Sequence, residues 1–292
     1  MSATTLDRPA TTARGGKRWR TAATSLAYAA LVLLAVVYIF PFLISIATSF
    51  KTTADAAGNP LALIPRTFTT AAYERLFLNS DFPVWFRNSV VVTLAVTAGR
   101  VFLDSLAGYA LARLPFRGRG AVFAGLVAVM AVPSVVLLIP KFLVINQLGI
   151  YDTFTALIVP LLADAAGIFI MKGFFESIPP SVEEAARIDG AGTFRVYWSV
   201  VLPMARPALV TIVILSFQGS WNELSHFIVA SQSQGLFTLT KGVAQLSSGA
   251  LSQGSQYPLK LGAALIMTIP VAVLFFVFQR RIMNASSGAV KE

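Results

Sequence analysis

Six apolar stretches decide what this chain can become. They are Leu26–Thr48, Asn88–Leu114, Ala121–Val144, Phe154–Phe175, Pro207–Ala230 and Leu261–Phe278. A helix needs about 20 apolar residues to cross a bilayer core. Lipid offers no hydrogen bonds, so a spanning backbone is either helical or closed into a barrel. The runs are continuous rather than alternating, which excludes the barrel. The expectation is an all-α polytopic membrane protein with six transmembrane helices. Composition agrees: 12% of residues are charged and mean hydropathy is +0.72, against about 25% charged in a soluble domain.

Arg14, Lys17, Arg18 and Arg20 precede the first run as they would a signal peptide. That run is roughly twice the length of a signal's apolar region, and no small-x-small site follows it, so it reads as a retained anchor. Residues 1–25 are expected to be a disordered cytoplasmic tail, 26–283 the six-span domain, and 284–292 a cytoplasmic C-terminal tail. Lysine and arginine gather on alternate loops, notably Arg113, Arg117 and Arg119, then Arg187, Arg195 and Arg206. By the positive-inside bias both termini are cytoplasmic, and so is the segment 177–206. The same bias accounts for the net charge of +10 without nucleic acid, for which no motif is present. Of the outside loops, 49–87 carries Phe82, Trp85 and Phe86, expected at the lipid interface. The loop 231–260 is rich in Ser, Gln and Gly and is expected to be flexible.

The segment "SIPPSVEEAARIDGAGTFRVYWSVVLPMARP", Ser177 to Pro207, is polar and looks ordered. Pro179 and Pro180 stop the fourth span. Ser181 and Glu184 fit a capping box, which predicts a helix from Val182 to Asp189, with Gly190 as its left-handed end. Thr193 is expected to cap a second helix, Phe194 to Val201, ended by Leu202-Pro203. The first helix is expected to expose Glu183, Ala186 and Arg187 among small residues, a shape suited to a partner's cleft. The alternative is an amphipathic helix lying on lipid headgroups.

Other polar residues lie within the runs. Arg100 and Asp104 are four apart and share a face. They read either as a gating pair or as an ion pair locked within one helix, the second being favoured. Asp164 has no local partner and either lines water or bonds to another helix. Trp221, Asn222 and Glu223 have the stacking and hydrogen-bonding groups of a sugar path, or serve contacts between helices. The single histidine, His226, reads as structural.

Glu184-Ala185-Ala186, then Gly190, Val200 and Leu202-Pro203, resemble the "EAA" loop of bacterial ABC importer permeases. Val200 stands where that family usually has isoleucine. "NSVVVTLAVTAGRVFLDSLAGYALARLPFRGRG" and "TIPVAVLFFVFQRRI" extend the resemblance from about residue 25 onward. It is to the carbohydrate branch, and to permeases similar to the second membrane subunit of the maltose transporter. Two departures stand out. "WNELSHFIVA" lacks the family's proline after Trp221-Asn222-Glu223, and "NASSGAVKE" keeps only "GAVK" of the usual ending.

The resemblance implies a second homologous permease, two ATP-binding subunits, an extracellular solute-binding protein, a sugar substrate and surrounding lipid. It implies that Glu183, Glu184, Ala185, Ala186, Arg187, Asp189 and Gly190 form a coupling helix seated on an ATPase. This chain would then be non-catalytic and bind no metal or cofactor, with ATP and Mg held by the partner subunits. The sequence has no G-x-x-x-x-G-K-[ST] phosphate loop, no H-E-x-x-H and no cysteine. A self-sufficient secondary transporter would need coupling-ion sites and usually internal repeats, and no repeat is evident. Import of a related solute, such as a glycerophosphodiester or polyol, is the other alternative.

Overall fold

The structure is a computed structural model that describes residues 15–247 and 256–288, among which every regular element is a helix and none is a strand. Four helices are long and apolar enough to cross a membrane, and up to six spans result if each bent pair counts as one.

The helix α1 (Gly15–Ser49) begins well ahead of its apolar run. It therefore includes residues expected in the N-terminal tail, while residues 1–14 lie outside the described part. The outer loop is ordered rather than plain coil. It holds α2 (Thr53–Gly58) and α3 (Ala71–Leu78). Phe50 stacks on Phe68 at 4.9 Å. Buried Lys51 donates to the carbonyls of Asn59 and Ala62 at 2.9 and 2.7 Å.

The central rod is α4 (Phe82–Arg113). Its buried positions Phe82, Trp85, Ser89, Val92 and Val96 recur at three- and four-residue intervals, the spacing of one helix face, and Asp104, Ser105 and Tyr109 are buried nearer its inner end. Phe82 and Trp85 are core residues, not interfacial ones. The stripe extends the helix six residues before the expected start.

The third run is not one straight span. α5 (Arg119–Met130) and the helical stretch Ser134–Gln147, whose α-helical part is α6 (Leu138–Gln147), meet at 102°. Pro133 has no N–H to donate and disfavours helix at the residue before it. The fourth run is also interrupted. α7 (Phe154–Ile158) leads into a 3-10 turn, Val159–Leu161, before α8 (Ala165–Ser177) begins.

Four further helices follow in the loop and the fifth run: α9 (Pro180–Ile188), α10 (Thr193–Arg195), α11 (Leu202–Met204) and α12 (Arg206–Trp221). A π-helix, Val196–Val201, joins α10 to α11. The whole stretch Thr193–Met204 turns by 79° into α12. The fifth run breaks at Asn222 and resumes as α13 (Ser225–Ala230).

The loop expected to be flexible contains α14 (Leu239–Ser247), which packs on α4. Asn88 Nδ2 donates to the carbonyls of Gly235 and Phe237, and the Leu239 amide donates to Ser89 Oγ. Ser233 Oγ donates to Asp152, and the Gln232 and Ser233 amides donate to it at 2.7 and 3.0 Å. The Ser233 hydroxyl leads in holding that carboxyl below its ordinary range, with the two amides adding to it. Residues 248–255 lie outside the described part.

The last helix is α15 (Tyr257–Gly288). Residues 284–288 of the expected C-terminal tail thus continue it, and 289–292 lie outside the described part. The tightest packing is between α4 and α8, where small residues let backbones approach. A Cβ on Gly108 would stand 2.6 Å from Met171 Cβ, and one on Gly167 would stand 2.2 Å from Asp104 Oδ2.

Candidate functional site

The polar loop is helix, turn, helix, with three differences from expectation. Pro180 occupies the first turn of α9, and the cap residue is Pro179 with no side-chain bond. Ser181 is therefore inside the helix and no capping box forms. Proline is favoured at a first helical position because its missing N–H has no partner to lose. The C-terminal end matches its motif. Gly190 has φ +81°, Gly190 N donates to Arg187 O, and Ala191 N donates to Ala186 O, both at 3.0 Å. These two bonds are the Schellman pair. Thr193 makes no cap bond, and the second helical stretch runs on through Leu202-Pro203 by way of the π turn. An α-helix would leave Ser199 O facing a proline without an N–H, and wider π spacing is one way to re-route such a bond.

The larger correction concerns Glu183. It faces inward, only 5% exposed. Its Oε1 stands 3.0 Å from Arg113 Nε. Tyr109 Oη donates to its Oε2 at 3.2 Å, and Arg187 lies 3.6 Å away. Arg113 also reaches the Phe175 carbonyl at 2.6 Å and the carbonyl of Ile178, at the end of α8. Ala186 is partly buried on the same side, against the cluster of Tyr109, Phe175, Val196 and Tyr197. The exposed face of α9 is instead Glu184, Ala185, Arg187, Ile188 and Asp189, with Ile188 86% exposed. Ile188 is not among the residues singled out from the sequence, because its exposure depends on which face of α9 meets the bundle; a large apolar side chain exposed on a short helix is a docking signal.

Arg100 and Asp104 form no ion pair within 4.0 Å. Each reaches across to the broken fourth span. Arg100 Nε donates to Leu161 O at 2.7 Å, and Asp164 N donates to Asp104 Oδ1 at 3.0 Å. Asp164 caps α8 by accepting from Gly167 N at 3.1 Å. An unwound backbone at membrane depth needs such partners.

Trp221, Asn222 and Glu223 part company. Trp221 is buried, stacks on Phe217 at 5.8 Å, and donates from Nε1 to Met267 O at 3.0 Å. Its ring is committed to joining α12 to α15. Glu223 Oε1 accepts from His226 N at 2.9 Å and so starts α13. Asn222 is exposed at the break, its Nδ2 donating to Gln218 O. His226 meets the Ala156 carbonyl at 3.0 Å. Trp221→Phe is expected to keep the stack and lose one hydrogen bond, costing about 1 kcal/mol, read as a small fall in melting temperature in detergent.

A cavity of about 1150 Å³ opens between α8, α12 and α15, lined among others by Gly173, Ser177, Arg206, Thr211, Gln218 and Phe275. Thr211 and Gln218 are seven apart and so share a helix face. That spacing is visible in the sequence, where the expected path residues are instead Trp221, Asn222 and Glu223.

Residues 104–283 match the family described as "Binding-protein-dependent transport system inner membrane component". The chain is 31% identical over 269 residues to the inner membrane ABC transporter permease protein YcjP of Escherichia coli (strain K12), covering 90% of this chain and 95% of that one. It is 31% identical over 265 residues to the diacetylchitobiose uptake system permease protein NgcG of Streptomyces coelicolor, covering 90% and 87%. In fold it is similar to a chain of a bacterial ABC transporter involved in import of the acidic polysaccharide alginate, with TM-score 0.77, 24% identity, and coverage of 94% and 99%.

Proposed function

Because the chain belongs to the family of binding-protein-dependent transport system inner membrane components, we propose that it is one membrane-spanning subunit of an ABC importer for a sugar or oligosaccharide. It would lie in a bacterial inner membrane with six spans and both ends cytoplasmic. It would pair with a second homologous permease, sit on two ATP-binding subunits, and receive solute from an extracellular binding protein. Hydrolysis of ATP with Mg takes place on the partner subunits, not on this chain.

The observation that carries this reading is α9: a short helix held to the bundle by one face, ending at a left-handed Gly190, and offering Glu184, Ala185, Ile188 and Asp189 outward. Such a knob can enter a cleft, and closure of two ATPases would then tilt the spans. The cavity lined by Thr211 and Gln218 would be completed by the second permease as the solute path. Asn222, at the break beside it, contributes a group able to bond a hydroxyl. A carbohydrate cargo is favoured because a relative is described as the permease of a diacetylchitobiose uptake system.

The test uses the absence of native cysteine. A single cysteine at Ile188 is expected to cross-link to the ATP-binding subunit in membranes, and Ile188→Asp is expected to reduce co-purification of that subunit at least tenfold. No cross-link from 184, 185 or 188, with an ATPase that still co-purifies, removes α9 from the interface. If no ATPase accompanies the chain at all, the secondary-transporter reading replaces the importer.

A further inference from the structure

We propose that the buried Glu183–Arg113 pair is a latch that makes α9, the inner end of α4 and the end of α8 move as one body. The inference rests on α9 being the coupling helix, and it names the residues that pass its movement on.

Covalently, α9 is poorly held. On one side Ile178 and Pro179 lie outside any helix, and on the other the chain turns through Gly190, Ala191 and Gly192. A helix between two such joints pivots unless side chains fix it. Val182 and Ala186 pack against the bundle, and the polar tie is Glu183, whose main partner is on α4, far away in sequence. Arg113 Nε stands 3.0 Å from Glu183 Oε1 as an ion pair without hydrogen-bond alignment, while its NH2 group donates to the Phe175 and Ile178 carbonyls. One planar guanidinium thus joins three helices, which its forked donors suit it to do. Tyr109 Oη supports the carboxylate from one turn further along α4.

The same helix, α4, carries the remaining ties. Ser105 Oγ and Tyr197 Oη lie 2.8 Å apart, linking α4 to the π turn. Asp104 and Arg100 hold the backbone on either side of the break in the fourth span. Positions 105, 109 and 113 recur at four-residue intervals and 100 and 104 form a second such pair, around a different side of the same helix. Displacement of α9 therefore has a side-chain route along a rigid rod to the unwound part of the membrane region. Glu183 and Arg113 are positioning residues in this scheme, while Glu184, Ala185 and Ile188 make the contact with the motor.

The experiment measures rigidity directly, in the full complex isolated through a tag on this chain. Spin labels go on cysteines at exposed Ser181, on α9, and Arg117, just beyond α4. Distances between them are recorded without nucleotide and with ATP and vanadate. The latch predicts one unchanged distance in the otherwise native chain and in Glu183→Asp. In Glu183→Gln, and in Arg113→Lys as a second variant that keeps its charge, the distribution is expected to broaden and shift with nucleotide by about 2 Å, the scale of helix sliding. The ATPase should co-purify with all of them to within twofold. A nucleotide-dependent distance in the native chain overturns the proposal, as does native behaviour in both Glu183→Gln and Arg113→Lys. Loss of the ATPase from Glu183→Gln alone also overturns it, since Glu183 then shapes the docking face. If the native chain brings down no ATPase, what fails is the coupling reading beneath it.

Discussion

Arg113→Ala is expected to lower stability by about 3–5 kcal/mol, because removing one member of a buried ion pair leaves the other charge uncompensated. Glu183 is 5% exposed, so water cannot take the place of the guanidinium. The carbonyls of Phe175 and Ile178 lose a donor in the same step, and unsatisfied buried acceptors add to the penalty. The expected readout is a large drop in the melting temperature of the detergent-purified protein and poor recovery from membranes. The double variant Arg113→Met with Glu183→Leu should recover much of the loss. Replacing both members of a buried pair with apolar groups is often nearly neutral, and what remains missing is the donor to the two carbonyls and the acceptor of the Tyr109 hydroxyl. A melting temperature for Arg113→Ala within a degree of the native value would refute the argument.

Gly167→Ala is the second large effect expected. The new methyl would stand 2.2 Å from Asp104 Oδ2 and 2.9 Å from its Cγ. Neither helix can easily give way, because Gly108 lies against Met171 on the same interface. Overpacking costs about 1–3 kcal/mol. Pushing the Asp104 carboxylate aside also breaks its bond from Asp164 N, in the residue that caps α8. Because Asp104 sits at the break of the fourth span, the change should disturb transport more than its stability cost alone suggests. Combining Gly167→Ala with Asp104→Ala should relieve the clash, so the double variant should melt higher than Gly167→Ala. Equal melting temperatures would show that the clash is not the cause.

The apolar runs made the helical membrane architecture legible, because hydropathy and length alone constrain a chain in lipid. What was not legible depended on contacts between distant residues. Arg100 and Asp104 have the spacing of an ion pair, but local spacing cannot reveal that the broken fourth span offers each a backbone partner. Glu183 stood among small residues and read as exposed; its burial depends on Arg113 in another helix. Two misreadings had local remedies. Pro180 fits a first helical turn as well as a stop, which moves the start of α9 and removes the capping box. The stripe of Phe82, Trp85 and Ser89 continues the period of α4, so those aromatics could have been placed in the core. The left-handed Gly190 was legible because the need for it is local.

The helix α1 has a consequence for how the protein is made. Its apolar window has none of its residues buried inside the molecule, and the neighbour it packs against most is α15. During synthesis α1 enters the membrane before α4, α8 and α12 exist, and its principal neighbour is translated after all of them. The core formed by those later helices can assemble without it. Closing α1 onto α15 is then a late event in biogenesis, and a chain stalled before α15 leaves the apolar window of α1 facing lipid, with its last turn tied to α3 through Ser49 and Tyr73.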